Sequence, residues 1–212
     1  MAEKRNDIQE LPEVVQEHKN KLYPIFLKLD QLETLLVGAG NVGLEKLQSL
    51  LSNSPEAKIT VVALEVKDEI RRIISEHPSC RIIQGPFREY DLDNKRIVIC
   101  ATDNKELHQQ ITSLAHKKGI LVNVADTPEL CDFYLGSIVQ KGNLKIAIST
   151  NGKSPTIAKR LKEVIADMIP VEMEDVLGNL QTIRNRMKLG FQQKVRRLNE
   201  ITRELVKRNY EG

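Results

Sequence analysis

Leu35-Leu36-Val37-Gly38-Ala39-Gly40-Asn41-Val42-Gly43, running directly into Leu44-Glu45-Lys46-Leu47-Gln48-Ser49-Leu50-Leu51, is the stretch that decides the fold. An unbroken apolar run, a glycine-rich turn and a Leu44/Leu47/Leu50/Leu51 stripe at helical spacing read as buried strand, tight turn and amphipathic helix. Gly38, Gly40 and Gly43 have the G-x-G-x-x-G spacing. In a dinucleotide-binding turn the first glycine permits the bend, the second admits a pyrophosphate to the backbone and the third lets helix and strand pack closely. The N–H groups and positive dipole end of the new helix then face the phosphates. Gly38, Gly40, Asn41, Val42 and Gly43 are therefore the first candidate cofactor contacts. A glycine turn made only for packing is the competing reading, and the strand before and helix after supply the context that favours a dinucleotide.

Outward from this turn, strand and helix patterns alternate. Lys58-Ile59-Thr60-Val61-Val62-Ala63-Leu64 is rich in β-branched residues and reads as a second strand. Leu64 and Glu65 stand at its end, about 20 residues after the glycines, where such folds place an acid for the ribose hydroxyls. Glu65 in that role favours NAD over NADP, whose extra phosphate it repels. It reads equally as an N-terminal charge of a helix over residues 66–75. Arg81-Ile82-Ile83-Gln84 is a third strand, ended by Gly85-Pro86. Lys95-Arg96-Ile97-Val98-Ile99-Cys100-Ala101-Thr102 is a fourth, followed by an Asp103-Asn104 cap and a helix over residues 105–118. Gly119 ends that helix, and residues 120–124 form a fifth strand. The alternation predicts an α/β fold with a Rossmann-type, mostly parallel sheet. Ligands of such sheets bind beyond the strand carboxyl ends, so the glycine turn, Leu64-Glu65, Thr102-Asp103 and Ala125-Asp126 should line one crevice.

Flanking regions differ. Residues 1–20 are charged and weakly periodic, as a flexible arm would be. Tyr23-Pro24-Ile25-Phe26-Leu27-Lys28-Leu29 alternates around a proline like an edge segment entering a domain. Residues 133–140 and 144–150 read as two strands joined by Lys141-Gly142-Asn143. A lone hairpin is marginal in water, which calls for further strand from the sheet or from a second subunit. From Ser154-Pro155 the chain reads as helical over residues 156–168, 171–187 and 191–210. Ile157, Leu161 and Val164-Ile165 share one apolar face. The expected organisation is a nucleotide-binding domain over residues 1–125, a β dimerisation segment with a substrate-site turn over 126–153, and a C-terminal helical domain over 154–212.

Composition narrows the class. The 212 residues are 41% hydrophobic and 29% charged, as in a soluble globular protein. No apolar run approaches the roughly 20 residues that cross a bilayer. The polar Met1-Ala2-Glu3-Lys4-Arg5-Asn6-Asp7 precedes no signal core, so the expected location is cytoplasmic, without a membrane partner. Cys80, Cys100 and Cys131 are scattered and odd in number, which points to reduced thiols. His108 and His116 are eight apart on a predicted helix and read as solvated or half-buried, so no metal site is expected. A net charge of +3 with 4% aromatics argues against nucleic acid.

The glycine turn, Asn123-Val124-Ala125-Asp126 and Ile148-Ser149-Thr150-Asn151-Gly152-Lys153-Ser154-Pro155 together resemble the precorrin-2 dehydrogenase and sirohydrochlorin ferrochelatase family, the dehydrogenase part of siroheme synthases. Tyr23-Pro24-Ile25-Phe26-Leu27, Gly85-Pro86-Phe87, Ala101-Thr102-Asp103 and Pro128-Glu129-Leu130-Cys131-Asp132-Phe133 extend the resemblance from Leu22 to Met168. It is looser beyond. The resemblance implies NAD-dependent oxidation of precorrin-2 to sirohydrochlorin and, in some members, ferrous iron insertion to give siroheme. It implies a homodimer interlocked through the middle β segment and C-terminal helices. The family often has alanine where Gly43 stands. No stretch resembles a uroporphyrinogen methyltransferase, so methylation is expected from another protein.

The implied reaction sends a hydride to the nicotinamide and a proton to a base. Asp126, in the family's Asn-Val-x-Asp position, is the candidate catalytic residue, at a strand end and partly shielded from water. The same carboxylate is placed to take pyrrole protons or guide iron during chelation. A plain structural alternative makes Asp126 the cap of the Thr127-Pro128 turn. Ser149, Thr150, Asn151, Gly152, Lys153 and Ser154 offer hydroxyls, N–H groups and a cation ahead of a helix, which suits substrate carboxylates. They also suit a well-capped helix start. Two other functions compete: a non-catalytic, NAD-sensing dimeric regulator, and a dehydrogenase of another small anion. A regulator has little need of a carboxylate facing the nicotinamide.

Overall fold

A computed structural model describes residues 20–203; the expected arm over residues 1–20, up to Asn20, and the expected continuation of the last helix to residue 210, beyond residue 203, lie outside the described residues. Strands β1 (Thr34–Val37), β2 (Ile59–Ala63), β3 (Cys80–Gln84), β4 (Ile97–Cys100) and β5 (Leu121–Val124) form one sheet in the order β3-β2-β1-β4-β5. All four pairings are parallel, as the alternating strand and helix pattern requires. Helices α1 (Asn41–Asn53), α2 (Asp68–Ser75) and α3 (Lys105–Lys117) connect them.

Period-two alternation sorts the sheet residues onto its faces. Leu36, Val61 and Ile99 pack with Leu47, Leu50 and Leu51 of α1 and Ile70 of α2. Leu35, Val37, Val62 and Val98 pack with Ile111 and Ala115 of α3 on the other face. With both faces covered, β1 and β4 are buried throughout. This is why they read as continuous apolar runs. Strand direction from β1 runs outward through β2 to β3, whereas β4 and β5 lie on the other side of β1. The β1/β4 boundary is therefore the switch point of the sheet, where its ligand crevice opens.

Several boundaries differ from the expectations. Residues 22–29 form no strand; Leu27 and Leu29 only lean on the core, while Tyr23, Ile25 and Phe26 stay exposed. Pro24 withholds the N–H that a ladder needs. Helix α2 starts at Asp68 rather than Val66, with Asp68 and Glu69 in its first turn, so Glu65 precedes the helix. Lys95 lies just before β4, not in it. Its buried ammonium donates to Glu33 Oε2 at 3.1 Å and to Thr60 Oγ1 at 2.9 Å.

Beyond the sheet, β6 (Ser137–Lys141) and β7 (Leu144–Ile148) form a separate antiparallel hairpin. Residues 133–136 and 149–150, expected in these strands, lie outside them; Gly136 passes so near the Ile148 carbonyl oxygen that a Cβ there would lie 2.7 Å from it. The hairpin packs on α4 (Pro155–Met168), which is followed by α5 (Met173–Arg186) and α6 (Phe191–Ile201). Asn143 is held by Glu174 of α5, through its N–H at 2.6 Å and its side-chain amide at 2.5 Å. In α4 only Ala158 is buried, whereas Ile157, Leu161, Val164 and Met168 are 52, 42, 54 and 70% exposed. Among the described residues no helix is long and apolar enough to cross a membrane.

Candidate functional site

The glycine turn lies at the switch point, and each glycine meets a different constraint. Gly38 has φ +105°, and a Cβ there would sit 2.4 Å from the Ala101 carbonyl oxygen. A Cβ on Gly43 would sit 2.2 Å from the Gly38 carbonyl oxygen, so α1 is pressed onto the turn. A Cβ on Gly40 would meet nothing within 4 Å. This open space lies before the first turn of α1, whose N-terminus has no side-chain cap and no acidic residue. Helices α3 and α4 are capped: Asn104 accepts from the Leu107 N–H at 2.8 Å, and Ser154 from the Ile157 N–H at 3.2 Å. An uncapped helix end facing open space fits a phosphate, which satisfies free N–H groups and complements the dipole. Gly40, Asn41 and Val42 are thus placed to hold a dinucleotide pyrophosphate.

Leu64 and Glu65 are exposed in the bend after β2, on the same carboxyl edge. Thr102 and Asp103 follow β4, and the Thr102 methyl lies 2.9 Å from where a Gly38 Cβ would be. Asp126 follows β5. Because the sheet is all parallel, these positions share one edge, as anticipated.

Asp126 departs from expectation in two ways. It is exposed rather than shielded, and it adopts φ +57°. Aspartate is among the few residues that enter this region readily. The Thr127-Pro128 turn is held without it: the Thr127 hydroxyl donates to the Ala125 carbonyl at 3.3 Å. Among the described residues the Asp126 carboxylate has no hydrogen-bond partner, so it is a free acceptor on the loop that follows β5.

Sequence reasoning missed the groups that fix this loop. Cys131 Sγ accepts from the Val124 N–H at 3.2 Å and lies 3.3 Å from the Val124 carbonyl and 3.4 Å from that of Thr127. Asn123 donates to the Phe133 carbonyl at 2.8 Å, and Asp132 accepts from the Val122 N–H at 2.9 Å and pairs with His116 at 3.0 Å. Burial disfavours the thiolate form of all three cysteines. Burial pushes Cys100 up to about 12, and burial also raises Cys80 and Cys131.

His108, expected to be solvated or half-buried, is instead buried against the end of β4. Only 3% exposed, it places Nε2 at 2.8 Å from Thr102 Oγ1, while Nδ1 is buried without a partner. An orphaned lone pair costs less than an orphaned N–H. We therefore assign the proton to Nε2, donating to Thr102. Thr102 Oγ1 also accepts from the Asn104 N–H at 3.3 Å, which leaves its own proton free to point outward. No periodic signal links positions 102 and 108. The contact exists only because α3 turns back over the end of β4.

The turn at residues 149–154 is more self-contained than its composition implied. The Thr150 hydroxyl donates to the Ser154 carbonyl at 3.1 Å and accepts the Ser154 N–H at 3.3 Å. Ser149 Oγ accepts the Asn151 N–H at 3.2 Å, and Asn151 and Gly152 both have positive φ. Lys153 is exposed and leaves its ammonium for an anion. No hydrogen bond among the described residues ties this turn to the crevice. The hairpin is instead anchored by Lys145, which donates to the Asn53 carbonyl at the far end of α1 from the glycines. No group of three or more potential metal ligands occurs among the described residues.

Comparison with known proteins places this geometry. Residues 25–137 match a family described as putative NAD(P)-binding, and residues 141–168 match a sirohaem biosynthesis protein central domain. A siroheme synthase of Psychrobacter cryohalolentis is 40% identical over 148 residues, 70% of this chain and 28% of that protein. A siroheme synthase of Pseudoalteromonas translucida is 37% identical over 168 residues, 79% of this chain and 35% of that protein. The chain thus spans about a third of the length of the curated relatives it matches. Among solved structures, SirC, precorrin-2 dehydrogenase, superposes with a TM-score of 0.66 at 26% identity, covering 85% of this chain and 89% of that one.

Two predictions follow from the geometry. Gly38→Ala should lower the thermal midpoint and abolish NADH binding together, whereas Gly40→Ala should melt like wild type yet bind NADH at least tenfold more weakly, as read by fluorescence titration and circular dichroism. For His108, burial lowers the folded-state pKa, partly offset by the Asp103 carboxylate. The unfolded chain therefore binds the proton more readily, and stability is lost as pH falls through about 6.5. A melt series from pH 7.5 to 5.0 should show that loss in wild type and a shallower one in His108→Gln.

Proposed function

The chain belongs to the NAD(P)-binding family that includes siroheme synthases and precorrin-2 dehydrogenase, and from that membership we propose that it oxidises precorrin-2 to sirohydrochlorin with NAD as hydride acceptor. The observation that carries the reading is a free carboxylate, Asp126, on the same strand edge as an uncapped, glycine-lined helix end. When bound, NAD supplies the acceptor for the hydride; the protein's residues hold the reactants and remove the proton.

In this proposal Gly40, Asn41, Val42 and Gly43 hold the pyrophosphate, Leu64 and Glu65 border the adenosine ribose, and Thr102 and Asp103 border the nicotinamide half. The macrocycle loses two hydrogens, one as hydride and one as a proton. Asp126 accepts the proton, and its exposed carboxylate is open to the substrate. The Lys153 ammonium takes substrate carboxylates, with Thr150 and Ser154 keeping the turn in shape. The site lies between the nucleotide-binding part, residues 1–125, and the segment 126–153, with residues 154–212 as the helical part. We place the protein in the cytoplasm, where the cofactor pool is.

The active form is proposed to be a homodimer. The apolar stripe of α4, exposed among the described residues, supports this, as does a two-stranded hairpin too small to stand as a sheet by itself. Sedimentation should give a dimer, and Val164→Glu should shift it to monomer; a wild-type monomer at micromolar concentration rejects the assembly.

The test of function supplies precorrin-2 and NAD without metal and follows sirohydrochlorin by absorbance. Asp126→Asn should cut kcat by about 10²–10⁴-fold with NAD affinity within about twofold. Thr150→Ala and Lys153→Met should raise the precorrin-2 KM without changing NAD affinity. Folded, NAD-binding protein that forms no sirohydrochlorin rejects the dehydrogenase reading. Ferrous iron added to sirohydrochlorin in a separate assay tests metal insertion, in which iron is a substrate.

A further inference from the structure

A cation that no motif marks stands at the mouth of the glycine turn. Lys67 is the N-cap residue of α2, and its ammonium donates to Asn41 Oδ1, on the first residue of α1. Its backbone N–H reaches back to the Ala39 carbonyl at 3.4 Å, inside the turn. Lys67 is therefore fastened to the glycine loop at both ends, across 26 residues of sequence. Among the described residues its ammonium has no carboxylate partner. An ammonium carries three donors, so two are left to point away from the amide.

The placement is selective. The helix end that Lys67 borders is uncapped and contains no acidic residue, and Gly40 keeps open space before it. A pyrophosphate drawn into that space by the α1 N–H groups would come within a side-chain swing of the Lys67 ammonium. Two residues earlier, Glu65 stands at the ribose position, so one short bend after β2 carries an acceptor for hydroxyls and a donor for phosphate.

We propose that Lys67 is a cofactor-binding residue whose ammonium, held on Asn41 when no anion is present, neutralises the pyrophosphate of the bound dinucleotide. The proposal rests on the NAD-dependent reading above and adds to it a charge that G-x-G-x-x-G turns do not themselves contain. It predicts that binding energy at this site has a screened Coulomb component, because the Lys67 side chain lies at the surface.

Fluorescence titrations of NADH, NADPH and adenosine against wild type, Lys67→Met and Lys67→Arg test it without turnover. Lys67→Met should weaken NADH about tenfold, the size of a charge-assisted hydrogen bond, and flatten its salt dependence. Adenosine, which lacks the pyrophosphate, should bind both proteins alike in competition with NADH, and Lys67→Arg should restore most of the NADH affinity. The side chain is outside the core, so thermal midpoints should agree within a degree or two. Unchanged NADH affinity in Lys67→Met overturns the proposal. So does an equal loss for adenosine, which means the loop has moved, or a loss confined to NADPH, which assigns Lys67 to a 2′-phosphate. Failure of wild type to bind NADH at all instead overturns the dinucleotide reading itself.

Discussion

The molecule depends on one close approach: α1 can start where it does only because Gly43 carries no side chain against the Gly38 carbonyl, and Gly38 none against that of Ala101. Any Cβ at either contact would lift the helix off the β1/β4 boundary. That contact aims the N-terminus of α1 into the gap between strands that diverge in chain order, so the positive end of a 13-residue helix faces the crevice. Asn104 and Ser154 cap α3 and α4 through their side chains. At α1 the cap is left out, and the free N–H groups are what a phosphate can use. Gly38 and Gly43 thus set the packing, and Gly40 keeps the space in which the proposed pyrophosphate would lie.

A second edge of the crevice is fixed by side chains rather than by close backbone contact. β5 is the outermost strand on its side, so its N–H and C=O groups toward the exterior need partners from elsewhere. Asp132 and Cys131 meet the Val122 and Val124 N–H groups, and Asn123 ties the chain down again at Phe133. Between β5 and this strap the backbone must reverse in a few residues, and it does so with Asp126 at φ +57°. Asn123, Thr127, Cys131 and Asp132 around the reversal each have an internal partner. The carboxylate of Asp126 has none, which makes it available for chemistry without loosening the loop that carries it.

The sheet, its strand order and the crevice edge were legible because their signals are local or periodic. Apolar runs marked doubly covered strands, stripes marked helices, and Gly38, Gly40 and Gly43 marked the switch point. Helix starts were less legible, since Val66 and Lys67 have the pattern of helix residues but hold extended backbone to reach the glycine turn. Contacts made across the fold were not legible at all. Lys67 meets Asn41, His108 meets Thr102, and Cys131 meets Val124 only once three layers are stacked, and none of these pairs leaves a spacing rule in the chain. The turn at residues 149–154 was read from composition as a set of free hydroxyls. Its hydroxyls, and the N–H groups of Asn151, Lys153 and Ser154, prove to be spent on the turn itself, which leaves the Lys153 ammonium as the means of holding an anion.

The two halves of the proposed site therefore differ in how they are built. The cofactor half is fixed within one chain, by glycine contacts and by a strap of hydrogen bonds. The substrate half hangs between β7 and α4, whose exposed Ile157, Leu161, Val164 and Met168 follow one another at helical spacing along a single stripe. A helix with such a face holds its position only when something covers it, and the turn before it moves with it. Lys145 fixes the hairpin at the end of α1 remote from the glycines, so α1, about 20 Å long, separates that anchor from the pyrophosphate position. A dimer that buries the α4 stripe would fix the anion-holding turn in the same act. In that arrangement the chain alone can hold a dinucleotide, and assembly is what sets the place of the substrate.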